Sequence, residues 1–232
     1  MKKLLFDLSL FPLKVVNVVF DLYTGGKKRP VFFDIDETFP SFRRIDEQYQ
    51  VIRQEMKAIL PEKDHIPTYH ELDAGQTEIS AETENDWKVF MLYAMGEKPE
   101  ANRRKCPKTA AVLDDIPDLF QGFFSILDGG KSVPAHCGPY RGYIRYHLGL
   151  QVPTENPPSI RVKDQHYTWR EGDSVLFDDS WDHEVLNRAS DIRVVLIVDV
   201  LRPMPWPFHK LNQFVTFLIR NFYAKSLAKK LR

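Results

Sequence analysis

The chain of 232 residues has only two cysteines, Cys106 and Cys137. Two thiols build no disulfide framework, so a reducing compartment is expected. It lacks any run of the about 20 apolar residues that a membrane-spanning helix needs. The N-terminal stretch begins MKK and is greasy, but Asp7, Pro12, Lys14 and Asp21 interrupt it, and no small-residue cleavage site follows. Neither a spanning helix nor a signal peptide is expected there. Internal repeats are missing, which excludes solenoid folds, and so are low-complexity tracts. Acidic residues are absent from positions 200–232, which carry seven Lys or Arg.

That last absence exposes a pattern under the neutral total of 32 basic and 32 acidic residues. Residues 1–29 hold six basic and two acidic side chains, and residues 30–199 hold 19 basic and 30 acidic. An acidic middle argues against a nucleic-acid partner, and no required protein partner is evident. Basic ends that are also apolar suit a surface of anionic lipid.

Three regions follow. Residues 1–29 read as an apolar, basic helical segment, with one or two short helices broken near Pro12 and a turn at TGGKKRP. Residues 30–205 form the main domain. VFFDIDETFP (31–40) reads as extended. Phe42, Ile45, Tyr49, Ile52, Met56 and Ile59 recur at helical spacing until Pro61. Residues 61–86 read as a long polar loop with a turn of helix, 86–96 as a buried strand, and 107–120 as a helix opened by Pro107. Short strands then alternate with turns at 123–130, 143–152, 159–163, 166–170, 174–178, 183–187 and 192–201. Many short strands with regular turns predict a sandwich or jelly-roll barrel. Residues 206–232 read as a basic amphipathic helix, suited to packing on the barrel or to lying on a membrane surface.

Several polar residues stand out against this pattern. His136 ends the loop after Gly129-Gly130, His147 lies mid-strand, and His183 follows the turn FDDSWD. Imidazole suits divalent iron. Arg193 opens the last apolar strand. An inward arginine among apolar residues is costly unless it meets an anion, and a carboxylate is its best match. A lone strand histidine is more often core or surface than a ligand, so residue types alone leave a metal-plus-carboxylate site open.

HCGPYRGYIRYHLGL, then YTWREGDSVLFDDSWDHEV and RVVLIVDVLRP, resembles the aspartyl/asparaginyl β-hydroxylase family over about residues 87–205. The resemblance implies a mainly β chain with flanking helices, on a double-stranded β-helix of the cupin-like jelly-roll type. It implies an Fe(II)- and 2-oxoglutarate-dependent dioxygenase that uses O2 to hydroxylate an unactivated C–H and releases succinate and CO2. His136 and His183 match the metal ligands. Arg193 and Ser125 match the residues that hold the distal carboxylate of 2-oxoglutarate, and His147 a histidine that contacts the cosubstrate near the metal. Arg145, with Tyr143 beside it, matches the wall of the substrate pocket. Gly138 stands where a carboxylate ligand often sits. Animal members also have glycine there, so water, substrate or, as in related halogenases, chloride would fill the vacant position.

Two substrates compete within that resemblance. RYHLGL, WKVF, CPKT and RPMPW look closest to the bacterial lipid A 2-hydroxylase branch, which implies an acyl chain of lipid A, ornithine lipid or a similar lipid. The expected place is then the bacterial cytoplasm, peripheral at the inner face of the cytoplasmic membrane. The alternative is an Asp or Asn side chain of a protein or peptide. The animal enzyme has a second arginine where this chain has Tyr143, which weakens that reading, although Gly138 is the animal-like choice. A non-catalytic binding module is a third possibility, opposed by the intact set of Ser125, His136, His147, His183 and Arg193. Other residues have plainer readings. Cys137 and Cys106 are expected to pack, Asp178 and Asp179 to accept from His183 or to shape a turn, and Trp181 and Tyr140 to line the mouth. His166 and His209 are expected on the surface, and Glu184 on the face away from the ligands.

Overall fold

The computed structural model describes residues 11–81 and 85–221. Helix α1 spans Phe11–Thr24. Pro12 is the second residue of this span, and the segment expected before it lies outside the described residues. Strand β1 is only Phe32–Phe33. The extended stretch expected over 31–40 stops there, because Ile35–Thr38 is a helical turn, α2. Asp34 caps it by accepting from the Glu37 N–H at 2.9 Å, with Asp36 and Glu37 in the first turn.

The periodic segment forms α3 (Arg43–Glu47) and α4 (Tyr49–Ile59), which bury Ile45, Ile52, Met56 and Ile59. The expected loop over 61–86 is more structured than its polarity implied. It holds α5 (Tyr69–Leu72), fixed by a Thr68–Glu71 capping box, and α6 (Thr77–Ser80). Strand β2 (Trp87–Ala94) is as expected. Helix α7 (Glu100–Lys105) was not anticipated. Helix α8 (Pro107–Asp114) ends early, because Leu119, expected in the helix, opens strand β3 (Leu119–Leu127).

The barrel continues with β4 (Val133–His136), β5 (Tyr143–Gln151), β6 (Ser159–Val162), β7 (Gln165–Thr168), β8 (Ser174–Phe177), β9 (His183–Leu186) and β10 (Arg193–Leu201). Helix α9 (Phe208–Ile219) closes the described chain. Two antiparallel sheets form, ordered β1-β8-β5-β10-β3-β2 and β4-β9-β6-β7. From β3 to β10 the chain crosses between the two sheets at every step but the β6–β7 hairpin, as a jelly roll does, so the expected mainly β architecture with flanking helices is the one adopted.

The larger sheet is covered on both faces. Ile144, Tyr146 and Leu148 of β5 join Val194, Leu196 and Val198 of β10 against the helical layer, where Phe42 stacks on Tyr146 at 4.4 Å. The alternate residues, Tyr143 of β5 and Val195 and Ile197 of β10, join the barrel interior. Each fully buried aliphatic or aromatic side chain contributes about 1.5–3 kcal/mol. Double coverage therefore makes these central strands a stiff frame for the polar residues that share the interior face: Arg145, His147, Arg193 and Asp199.

Candidate active site

His136 and His183 are cross-strand partners of β4 and β9, with ring centroids 4.2 Å apart. His136 was expected at the end of a loop; it closes a short edge strand, where Pro134 is tolerated. The two rings are oriented alike. His136 Nδ1 lies 2.8 Å from the Pro134 carbonyl, and His183 Nδ1 lies 2.9 Å from the Trp181 carbonyl. A carbonyl only accepts, so Nδ1 carries the proton and Nε2 keeps its lone pair. Burial holds both imidazoles below their usual range, and His183, with His136 beside it, drops to about 3. Both rings are therefore neutral near pH 7, the form that binds a metal. The acceptor for His183 is a backbone carbonyl, so of the two roles expected for Asp178 and Asp179 the turn is the one seen: Asp178 Oδ1 accepts from the Ser180 N–H at 3.0 Å.

On the interior face of the larger sheet stands a buried arginine. Arg193 is 2% exposed, and its Nε and Nη1 have no hydrogen-bond partner. Its guanidinium lies 4.6 Å from the Trp169 ring centroid. Burial lowers its pKa to about 9, so it stays cationic near neutrality. His147 is buried against Phe177, at 4.9 Å between ring centroids, and neither of its ring nitrogens has a partner. Burial, and then the charges of Arg145 and Arg193, hold it neutral. Ser125, fully buried, accepts from Trp87 Nε1 at 3.0 Å, which leaves its own O–H free to donate. Buried polar atoms without partners are rare in folded proteins. A cation, two ring nitrogens and a hydroxyl together describe a place for a small carboxylate.

A third group went largely unread in the sequence. Arg145 makes a paired contact with Asp199, both bonds 2.8 Å, and reaches Asp179 at 3.1 Å. The Tyr143 hydroxyl donates to Asp179 Oδ2 at 3.0 Å, while Asp179 Oδ1 has no partner. Burial raises the Asp179 pKa against the pull of Arg145. Asp179 also explains Gly138: a Cβ there would stand 2.6 Å from Asp179 Oδ1. Gly138→Asp would therefore push one carboxylate into another rather than supply a third metal donor. It should lower stability by about 1–3 kcal/mol from overpacking alone, read by thermal melting. An unchanged melting temperature would refute the clash.

A buried clamp sets the turn before His183. Asp178 pairs with Arg29 at 2.9 Å and Arg202 at 2.7 Å. Arg29 also donates to the Ser180 carbonyl, and its guanidinium lies 3.6 Å from the Trp181 ring centroid. Trp181 is thus half-buried in the clamp. Tyr140 is buried and donates to Asn212 Oδ1 at 2.7 Å, so it is not a free lining residue. Cys106 is buried as expected, but Cys137 is exposed and does not pack. His166 is exposed and His209 half-buried. Glu184 turns to the other face of its strand from His183 and pairs with Arg161 at 2.6 Å.

Among the described residues, no three His, Cys, Asp or Glu side chains gather as a metal cluster. The His136–His183 pair could supply two imidazole donors to a divalent metal, which would leave other positions for a ligand bearing its own anionic chelate. The fold is a jelly roll whose smaller sheet carries a close histidine pair and whose larger sheet carries a buried arginine on its interior face. The aspartyl/asparaginyl β-hydroxylase family matches residues 46–203, and the chain belongs to that family. An ornithine lipid ester-linked acyl 2-hydroxylase of Rhizobium tropici is 40% identical over 75% of this chain and 62% of its own length. Human aspartyl/asparaginyl β-hydroxylase is 38% identical over 51% of this chain and 16% of its own. This chain therefore spans less than two thirds of either relative. A cupin domain from an Enterobacter cloacae transcriptional regulator superposes with a TM-score of 0.35 at 14% identity, over 50% of this chain and 98% of that one.

Proposed function

We propose that the protein is an Fe(II)- and 2-oxoglutarate-dependent dioxygenase that hydroxylates an acyl chain of a bacterial membrane lipid, of the ornithine lipid or lipid A type. One observation carries the cosubstrate: the buried, unpartnered Arg193 guanidinium across the barrel from two neutral histidines. His136 and His183 would hold the iron. Arg193 and Ser125 would take the distal carboxylate of 2-oxoglutarate, and His147 would contact the cosubstrate near the metal. Bound iron with 2-oxoglutarate and O2 supplies the oxidising power for inserting oxygen into a C–H bond. The chain orients the histidines through backbone carbonyls, keeps them deprotonated at Nε2, and excludes water with Phe177 and Trp169. That dryness matters because charge pairing in the pocket strengthens as water leaves.

The state of Arg145 supports the lipid reading over a peptide. Its guanidinium is already neutralised by Asp199 and Asp179, which leaves little for an aspartate carboxylate to bind. Tyr143, the other residue of that wall, donates to Asp179 rather than to an open pocket. The acyl hydroxylase relative fits this reading, as do the basic, apolar ends. Anaerobic loading with Fe(II) and 2-oxoglutarate, followed by O2, tests it with succinate as the readout. Ornithine lipid should stimulate succinate and gain one oxygen atom. Stimulation by an Asp-containing peptide alone would transfer the assignment to side-chain hydroxylation, and no stimulation by either would refute both.

A further inference from the structure

Helices α1 and α9 expose apolar side chains on the face opposite the one they bury. On α1, Phe20 is fully buried and Val16 packs on the core, while Val18 is 66% and Leu22 80% exposed in one stripe with Val15. On α9, Val215 and Asn212 are buried, while Phe214 and Phe217 are each 58% exposed beside Leu218. Trp206, just before α9, is 79% exposed. Apart from Leu186, every large apolar side chain exposed among the described residues lies on these two helices or at Trp206. A helix apolar on both faces has a second partner.

The two stripes belong to one surface. Tyr23 at the end of α1 stacks on Phe208 at the start of α9, with centroids 5.8 Å apart. Both helices also grip the segment that leaves the ligand His136. Asn17 donates to the Pro139 carbonyl and accepts from the Arg141 N–H, and Asp21 pairs with Arg141. From α9, Asn212 accepts from Tyr140 and donates to the Gly142 carbonyl. The exposed stripes thus lie about one helix diameter, ~10 Å, from the 138–142 segment.

Charge selects the partner. Lys14, Lys27, Lys28, Lys210 and Arg220 are exposed on or beside the two helices. The only acid in α1, Asp21, is paired with Arg141, and α9 has none. No helix among the described residues is long and apolar enough to cross a membrane, so contact would be interfacial. We infer that α1 and α9 form one docking face for the surface of an anionic lipid bilayer, holding the 138–142 segment that follows His136 close to it. This rests on the lipid-hydroxylase reading only for its purpose, not for its evidence.

The test uses the full chain and vesicles without ornithine lipid: phosphatidylcholine alone, or phosphatidylcholine with phosphatidylglycerol. Sedimentation should show binding to the anionic vesicles, weakened by salt and weak or absent on phosphatidylcholine alone. The quadruple variant Val18→Ser, Leu22→Ser, Phe214→Ser, Phe217→Ser should bind about tenfold or more weakly, with a melting temperature near that of the parent because all four side chains are exposed. Lys27→Glu with Lys28→Glu should remove most of the preference for anionic vesicles, and decides the matter if the quadruple variant does not fold. The inference is overturned if the parent does not bind anionic vesicles or if the variants bind as the parent does. It is also overturned if the apolar substitutions dissolve a dimer in the absence of lipid without changing vesicle binding. Failure here would leave succinate formation on detergent-dispersed lipid intact, so the two readings fail separately.

Discussion

Replacing His183 with alanine should lower the proposed Fe(II)-dependent succinate formation by about a hundredfold or more, because even partners outside the metal's own ligands cost about 10–100-fold when lost. The geometry leaves no substitute. On the proposed reading the histidine pair is the donor set, and Asp179, which has one carboxylate oxygen without a partner, is tied through its other oxygen to Tyr143 and Arg145. His136→Ala should act alike, since the two rings are cross-strand partners oriented in the same way. Metal content after dialysis gives an independent reading: each variant should retain less iron or manganese than the parent, while its circular dichroism is unchanged. A variant with near-normal turnover and metal content would remove its histidine from the ligand set. Ala at 183 also frees the Trp181 carbonyl, so a modest loss of stability is expected without consequence for that conclusion.

The barrel was legible in the sequence because its central strands are covered on both faces. β5 and β10 read as near-continuous apolar runs, and polar residues inside them, His147 and Arg193, were conspicuous for that reason. Asp199 carried the same signal, a carboxylate inside IRVVLIVDVL, and it turned out to be the counter-ion of Arg145. β4 gave no such signal. It is a short edge strand containing Pro134, and edge strands need neither alternation nor a full set of N–H donors. The clamp on the His183 turn was illegible for another reason: Arg29 and Asp178 are 149 residues apart, and nothing local to a linker arginine says that it will be buried. The α2 turn did have its signal, an N-cap aspartate followed by two acids, outweighed by the apolar, aromatic flanks that suggested a strand.

Arg193→Met should raise the 2-oxoglutarate requirement by about 30-fold or more, which corresponds to the ~2 kcal/mol lower bound for losing one partner of a buried charge pair. The apoprotein should not suffer. Arg193 is a buried cation with two unpartnered N–H groups, and an apolar side chain of similar length in its place is often neutral or stabilising. The variant should melt at or above the parent temperature, whereas 2-oxoglutarate should raise the melting temperature of the parent and not of the variant. This combination separates a binding role from a packing role, which would lower stability and leave the ligand shift in place. The pH dependence gives a further check. In the folded apoprotein Arg193 titrates near 9, below its ordinary 12.5, so between those values the unfolded chain binds more protons and the group's contribution to stability rises with pH. The carboxylate needs the charged form, so cosubstrate affinity should fall as pH rises through about 9. An unchanged 2-oxoglutarate requirement in the variant would take the distal carboxylate away from Arg193.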